Sequence, residues 1–263
     1  MKTTVIITTY NRPDYLLRTV AGYLNQTRPP DEIIVADDGS TEETAVMVTK
    51  ITQEATIDIL HVWQEDRGFR AAEIRNKAVA RSRGQYIILT DDDSIPSPGL
   101  VADHLEYAEQ GYFIQGHRVL LGPALSPHFT HRDISPGQLL CMGFTGKAQN
   151  ITNGLTLPWA WVARSRKLRG IRSCNMSFSQ ADFLAVNGFN HDFRGWGKED
   201  SELAVRFYKF GLKRKDIRFR GGCFHLHHNE FSRENVQRNI GLLEEAMNKE
   251  GYFCPNGIDQ YLV

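Results

Sequence analysis

Cysteine is scarce in this chain, and no two of Cys141, Cys174, Cys223 and Cys254 stand at the spacing of a metal or redox motif. A CxxC centre and a disulfide scaffold are therefore excluded, and reduced thiols are expected. An excess of either charge is also missing: 31 Lys and Arg balance 31 Asp and Glu. A dedicated nucleic-acid binder carries a basic surplus, so no nucleic-acid partner is expected. No apolar stretch reaches ~18 residues without Pro, Gly or a charge, which argues against a transmembrane helix. The apolar run after Lys2 is too short for a signal-peptide core. Sequons at Asn25, Asn150 and Asn175 then read as accidents of composition. The expected location is cytoplasmic, with at most peripheral contact at the inner face of a membrane. The P-loop, GxGxxG, HExxH and GxSxG patterns are all absent. Their absence argues against P-loop, dinucleotide-dehydrogenase, zincin and α/β-hydrolase chemistry.

What is present is a chain of 263 residues, 41% hydrophobic and 24% charged, enough for one sizeable core. Its first half alternates β-branched runs (Val5 to Thr9, Glu32 to Ala36, 57–63, Tyr86 to Leu89) with helical periodicity. The helical stretches carry Leu16, Leu17, Val20, Tyr23 and Leu24, then Ala45, Val46, Val48 and Ile51, then residues 71–82, then Val101, His104, Leu105 and Ala108. Continuous apolar strands separated by amphipathic helices predict a parallel sheet covered on both faces. Ligands of such sheets bind beyond the carboxyl ends of the strands. The polar clusters fall there: 8–12, 37–40 and Asp91, Asp92, Asp93. Between 117 and 170 no period is visible, and a stretch of that kind is expected to be mobile or functional. Strand and helix signals return at 173–178, 180–186, Glu199–Phe210 and 233–248. In the last of these Val236, Ile240, Leu243 and Met247 share a face.

Three groups of residues carry chemistry. Asp91 and Asp93 follow a buried strand, and i, i+2 residues of an extended segment point the same way. Like charges this dense favour a cation, and oxygen ligands suit Mg²⁺ or Mn²⁺; the bland alternative is a solvated acidic turn. Gly195, Trp196, Gly197, Lys198, Glu199 and Asp200 precede a helix. That arrangement offers either an ordinary acidic helix start or a carboxylate beside an aromatic platform, ready to take a proton. His225, His227 and His228 lie within four residues, a density that suggests a metal ligand and moves the preference toward Mn²⁺.

Taken in order, Thr8 to Arg12, Asp37 to Ser40, Arg75 with Asn76, Asp91 to Asp93, and Gly197 to Asp200 resemble the motif set of GT-A glycosyltransferases of family 2. The segment 195–200 also resembles the GWGGED stretch of β1,4-galactosyltransferases and chondroitin-type polymerases, with Lys198 in place of Gly and Ser201-Glu202 in place of the acidic pair of the animal enzymes. The resemblance implies an α/β, Rossmann-like, mostly parallel sheet with helices on both faces. It implies one catalytic domain over 1–263, with a nucleotide-sugar half at 1–116 and an irregular acceptor-binding and catalytic half at 117–263. It implies an inverting, metal-dependent transfer of a hexose or N-acetylhexosamine from a UDP-sugar to a saccharide or lipid-linked saccharide, in bacterial surface polysaccharide or glycolipid synthesis. Carried over residue by residue, Thr8, Tyr10 and Asp38 hold uracil and ribose, and Arg12 and Arg75 face the nucleotide. Asp91 and Asp92 contribute to donor binding, and Asp93 with His227 holds Mn²⁺ or Mg²⁺, with His225 and His228 as alternatives. Asp200 is the general base, Glu199 binds sugar beside it, and Trp196 lines the acceptor pocket. The competing readings are a sugar-phosphate nucleotidyltransferase, disfavoured by the Gly-free loop at 8–14, and a non-catalytic sugar-nucleotide module, disfavoured by the presence of Asp93 and Asp200. Arg164, Arg166, Lys167, Arg169 and Arg172, just after Trp159 and Trp161, are expected to form a mobile loop serving the acceptor.

Overall fold

The computed structural model describes residues 1–229 and 232–262. In chain order the first half runs β1 (Thr3–Thr9), α1 (Pro13–Leu24), β2 (Glu32–Asp37), α2 (Glu42–Glu54), β3 (Asp58–Trp63), α3 (Ala71–Arg81), β4 (Tyr86–Asp91), β5 (Ser94–Pro96), α4 (Leu100–Glu106) and β6 (Tyr112–Gln115). The second half runs β7 (Arg118–Leu121), α5 (Pro136–Thr145), β8 (Ala148–Gln149), β9 (Trp161–Ser165), β10 (Asn175–Ser179), α6 (Gln180–Ala185), α7 (Glu199–Phe210), β11 (Lys213–Arg218), β12 (Cys223–His225) and α8 (Val236–Asn248).

Strands from both halves share one eight-stranded sheet, ordered β3-β2-β1-β4-β10-β6-β11-β9. The first four are parallel, and β10 enters antiparallel to both β4 and β6. The side-chain period of two divides β1 between two cores. Ile6 joins Ile34, Leu89, Phe178, Phe183 and Phe207 on the face covered by α3, α6 and α7. Val5 and Ile7 join Ile33, Val35, Leu16, Val20, Val48 and Leu100 on the face covered by α1, α2 and α4. A strand buried on both faces must be apolar at successive positions, which is why β1, β2 and β4 read as unbroken runs.

The stretch 117–170 departs from expectation. It carries β7, α5, β8 and β9, and a second sheet ordered β5-β12-β7-β8 closes over a third core of Ile95, Val119, Leu121, Phe129, Leu139 and Phe224. These strands have two to five residues and find their partners far along the chain, so no local period announces them. The last helix is likewise shorter than its pattern, starting at Val236, and Met247 on its apolar stripe is exposed.

Candidate active site

Parallel strands in register bring their carboxyl ends level: Thr9 pairs with Asp37, Thr8 with Asp91. A cleft of about 640 Å³ opens at that edge. The motif residues named above for nucleotide, metal, base and acceptor all line it: Thr8, Tyr10, Arg12, Asp38, Arg75 and Asp91 to Asp93 from the first half, and Trp196, Glu199, Asp200 and His227 from the second.

Arg75 is the hub between the two sides. From the buried face of α3 its Nε donates to Thr8 Oγ1, its Nη2 to Asp91 Oδ1 and its Nη1 to Glu199 Oε1, each at 3.0 Å. One planar guanidinium thus ties the end of β1, the end of β4 and the start of α7 together. Three of its five N–H donors are thus held by protein, and Arg75 still lines the cleft where a nucleotide contact is expected of it. Asp38 is buried too, with Oδ2 accepting from the Arg70 N–H at 2.6 Å and Oδ1 from Gln64; burial pushes its pKa up to about 6 despite these donors. Tyr10 stays exposed at the rim and donates to Asp66 at 2.8 Å.

The three aspartates diverge. Asp91 faces Arg75. Asp92 accepts from Thr9 Oγ1 at 2.7 Å, and burial raises its pKa. Asp93 turns to a histidine pair, with Oδ1 3.4 Å from His225 Nε2 and Oδ2 3.0 Å from His228 Nε2, while Arg12 Nη1 lies 3.3 Å from the same Oδ2. Ligand atoms of Asp93, His225 and His228 all lie within 4.8 Å of one another. His227, the first choice from sequence, lines the cleft but falls outside this group. In a continuing strand His225 and His227 would share one face, but β12 ends at His225, and the chain then turns so that His228 returns to Asp93. The His227 backbone is fixed instead, its N–H donating to Ser126 Oγ and its carbonyl accepting from Tyr15.

The donor set suits a borderline divalent ion such as Mn²⁺: one carboxylate and two imidazoles. His225 and His228, with Arg12, hold Asp93 well below the usual carboxylate range, so it stays charged. Burial lowers His225 to about 4, which leaves its imidazole neutral and its lone pair free to ligate at pH 7. Asp93 raises His228, whose proton must leave before it could ligate.

Opposite this group, the turn before α7 runs through left-handed backbone at Gly195 (φ 72°), Gly197 (φ 102°) and Lys198 (φ 77°). Those angles explain the glycines, and Lys198 stands in a conformation that glycine adopts more cheaply. The turn is pinned from behind. Asn239 of α8, fully buried, donates from Nδ2 to the carbonyls of Arg194 and Gly197 at 3.1 and 2.9 Å. Glu199 and Asp200 then open α7, where the dipole favours anions. Asp200 Oδ1 accepts from the N–H and hydroxyl of Ser201. No hydrogen-bond partner for Oδ2 is found among the described residues. Burial and the Glu199 carboxylate push Asp200 up to about 7. Trp196 is exposed beside it, with the Arg233 guanidinium 5.7 Å from its ring.

Of the basic stretch, only Arg172 reaches the cleft. Arg164 lies on edge strand β9 and pairs with Glu109, and the carbonyls of Lys167 and Arg169 accept from Arg214. Arg118, which no motif singles out, lines the cleft wall instead.

Two family models match this chain in succession: glycosyl transferase family 2 over residues 4–157 and the N-terminal domain of galactosyltransferase over residues 159–229. A validoxylamine A glucosyltransferase of Streptomyces hygroscopicus subsp. limoneus is 29% identical over 79% of this chain and 48% of its own. The chondroitin synthase of Escherichia coli is 25% identical over 88% of this chain and 35% of its own. The hyaluronan synthase of Pasteurella multocida is 28% identical over 81% and 23%. The chain therefore spans about half or less of the length of these curated relatives. Among solved structures, S. aureus TarS 1-349 in complex with UDP superimposes with a TM-score of 0.65 at 15% identity, covering 94% of this chain and 65% of that 1-349 chain. The mannosyltransferase PcManGT from Pyrobaculum calidifontis, in complex with GDP-Man and Mn²⁺, gives a TM-score of 0.61 at 19% identity, covering 87% and 58%. Both superpositions agree with the GT-A architecture.

Proposed function

The chain belongs to glycosyl transferase family 2, and we propose that it transfers a hexose or N-acetylhexosamine from a UDP-sugar to a saccharide hydroxyl, with inversion at C1. The observation that carries this reading is the meeting in one cleft of Asp93, His225 and His228 with Asp200, whose pKa raised to about 7 and whose Oδ2, without a partner among the described residues, suit a general base. We read residues 1–263 as one GT-A domain, the donor bound chiefly by 1–116 and the acceptor by 117–263. The polysaccharide synthases among the relatives support a setting in bacterial surface polysaccharide or glycolipid synthesis. No helix among the described residues is long and apolar enough to cross a membrane.

In this mechanism Thr8, Tyr10 and Asp38 border the uridine, with Tyr10 free to stack at the rim. Asp93, His225 and His228 would hold Mn²⁺ or Mg²⁺, which when bound neutralises the charge developing on the departing diphosphate. Arg75 keeps Asp91 and Glu199 in fixed geometry, Asp91 toward the donor and Glu199 toward the sugars. Asp200 takes the proton of the acceptor hydroxyl as that oxygen bonds to C1. The C1–O bond to the diphosphate breaks on the opposite face, and its electron pair leaves with UDP. Trp196 offers the acceptor ring an apolar platform. Replacing Asp200 by Asn keeps the shape and removes the proton acceptor, so kcat should fall by at least ~10²-fold, with UDP affinity in Mn²⁺ unchanged. Near-normal turnover in D200N alongside loss in E199Q would exchange the two roles.

A further inference from the structure

A second, smaller cavity of about 70 Å³ lies beside the cleft and shares Arg118, Leu120, Arg172 and Cys174 with it. Its remaining wall is mainly polar, with Gln115, His117, Asn150 and Asn153. That volume is about two water molecules' worth of liquid, room for a carboxylate or phosphate group and too little for a sugar ring.

Its chemistry has a definite sign. Arg118 lies opposite Cys223 in the β7–β12 pair, two residues before Leu120, which lies opposite His225. A guanidinium there makes no hydrogen bond to the Asp93 cluster among the described residues but lies within electrostatic reach of Asp93 and Asp91. Among the described residues its side-chain partner is the Cys174 thiol, Nη1 to Sγ 3.5 Å. Burial raises that thiol to about 11, so it is neutral at pH 7 and supplies no counter-charge. Arg172 is held by its backbone, its N–H donating to Gln115 Oε1 at 2.9 Å and its carbonyl accepting from Gln115 Nε2 at 3.1 Å. The residue is exposed and lines both cavities. His117 Nε2, buried in the same wall, has no hydrogen-bond partner among the described residues. Arg172, Arg214 and Arg218 set a positive field around that ring, offset by Asp216. Two arginines and a buried imidazole nitrogen lining one small polar cavity, with Asp91, Asp93 and Asp216 as only partial counter-charges, favour an anion through charge-assisted hydrogen bonds.

We propose that this side pocket is an anion subsite, in which Arg118 and Arg172 hold a carboxylate or phosphate carried by one of the two sugars that meet in the cleft. The proposal rests on the cleft being the transfer site and adds a substrate class to it: one partner in the reaction is an acidic sugar. The wall that the pocket shares with the cleft, Leu120 opposite His225 included, favours an anion on the reacting sugar itself over one on a remote unit of a chain.

Calorimetry on the full chain in Mn²⁺ tests this with matched probes. UDP-glucose against UDP-glucuronate examines the donor. Glucose against glucuronate and glucose 6-phosphate, with UDP present, examines the acceptor. In one arm an anionic member should bind at least about tenfold more tightly than its neutral match, and the arm that shows it identifies which sugar carries the anion. R118Q and R172Q should each reduce that preference to about threefold or less, R118K should keep part of it, and UDP affinity should stay within about twofold throughout. Absence of preference in both arms overturns the proposal. So does an equal loss for neutral and anionic probes in R118Q, which would make Arg118 a counter-charge for Asp91 and Asp93. Failure of the unsubstituted protein to bind UDP in Mn²⁺ would refute the cleft reading itself, a separately visible result.

Discussion

Replacing Arg75 by Met tests whether one buried guanidinium holds the two sides of the cleft together. Met keeps much of the apolar stem and removes three donors at 3.0 Å, to Thr8, Asp91 and Glu199. A charge pair at 3 Å is worth roughly 5 kcal/mol at an effective dielectric constant of 20. Most of that offsets the desolvation of the three charged groups. Breaking a buried pair from one side usually costs about 3–5 kcal/mol, because the remaining charge stays behind. The Arg75 side chain is 4% exposed but that of Asp91 is 31% exposed, so water takes up part of the load and the lower figure, about 3 kcal/mol, is expected. In a domain of this size that corresponds to a fall in Tm of roughly 6–12 °C. The loss should also depend on pH. Burial already raises Asp91, and Arg75 counteracts it. In R75M the folded-state pKa of Asp91 rises further above its unfolded value. The added penalty is then present where Asp91 is ionised and fades as pH falls through the raised pKa. Urea unfolding of both proteins between pH 8 and pH 5 should show the gap narrowing on acidification. A gap under about 1 kcal/mol at pH 8, or one that widens as pH falls, would refute the reasoning.

The Asp200 carboxylate acts when deprotonated, so kcat/KM should rise through pH of about 7 and level off above it; a rate flat from pH 6 to 8 would count against the assignment. His225→Ala and His228→Ala should each weaken Mn²⁺ binding about 10- to 100-fold, on the scale of losing a partner at a metal site, whereas His227→Ala should leave it unchanged; titration with Mn²⁺ monitored by protein fluorescence separates them. Asn239→Ala leaves the carbonyls of Arg194 and Gly197 without their buried donor, a cost of about 1–3 kcal/mol. It should raise the acceptor KM more than it changes UDP affinity, and equal effects on both would place Asn239 outside the acceptor turn's support.

Local pattern was enough for α7, read as Glu199–Phe210 and found there, because three acidic residues in its first turn follow a Gly turn and Leu203, Ala204 and Phe207 repeat at helical spacing. The same holds for β1, β2 and β4, whose burial on both faces leaves an apolar signature. It failed for β7, β8 and β12, which are too short to show alternation and owe their pairing to one another. It failed for His228, since a strand's period says nothing once the strand has ended. Arg118 and Asn239 carried no signal of their own: one is an arginine in a short strand, the other an asparagine on a helix, and their neighbours arrive from 50 or more and 40 or more residues away.

The amino-acid order alone determined the half of the molecule in which function follows from repetition. Strands that alternate with helices must form a covered parallel sheet, and the loops at its carboxyl edge must hold Thr8, Asp38 and the aspartates after β4. Which of those polar groups are spent on protein and which remain for a ligand was decided by the tertiary structure. Arg75 gives three donors to Thr8, Asp91 and Glu199, Asp200 Oδ2 has no partner among the described residues, and Asp93 meets His225 at the end of β12 and His228 in the turn after it. The reason is physical: covalent neighbours and periodicity fix where a side chain starts, but its charge state and its partners depend on what distant segments bring within about 3 Å of it.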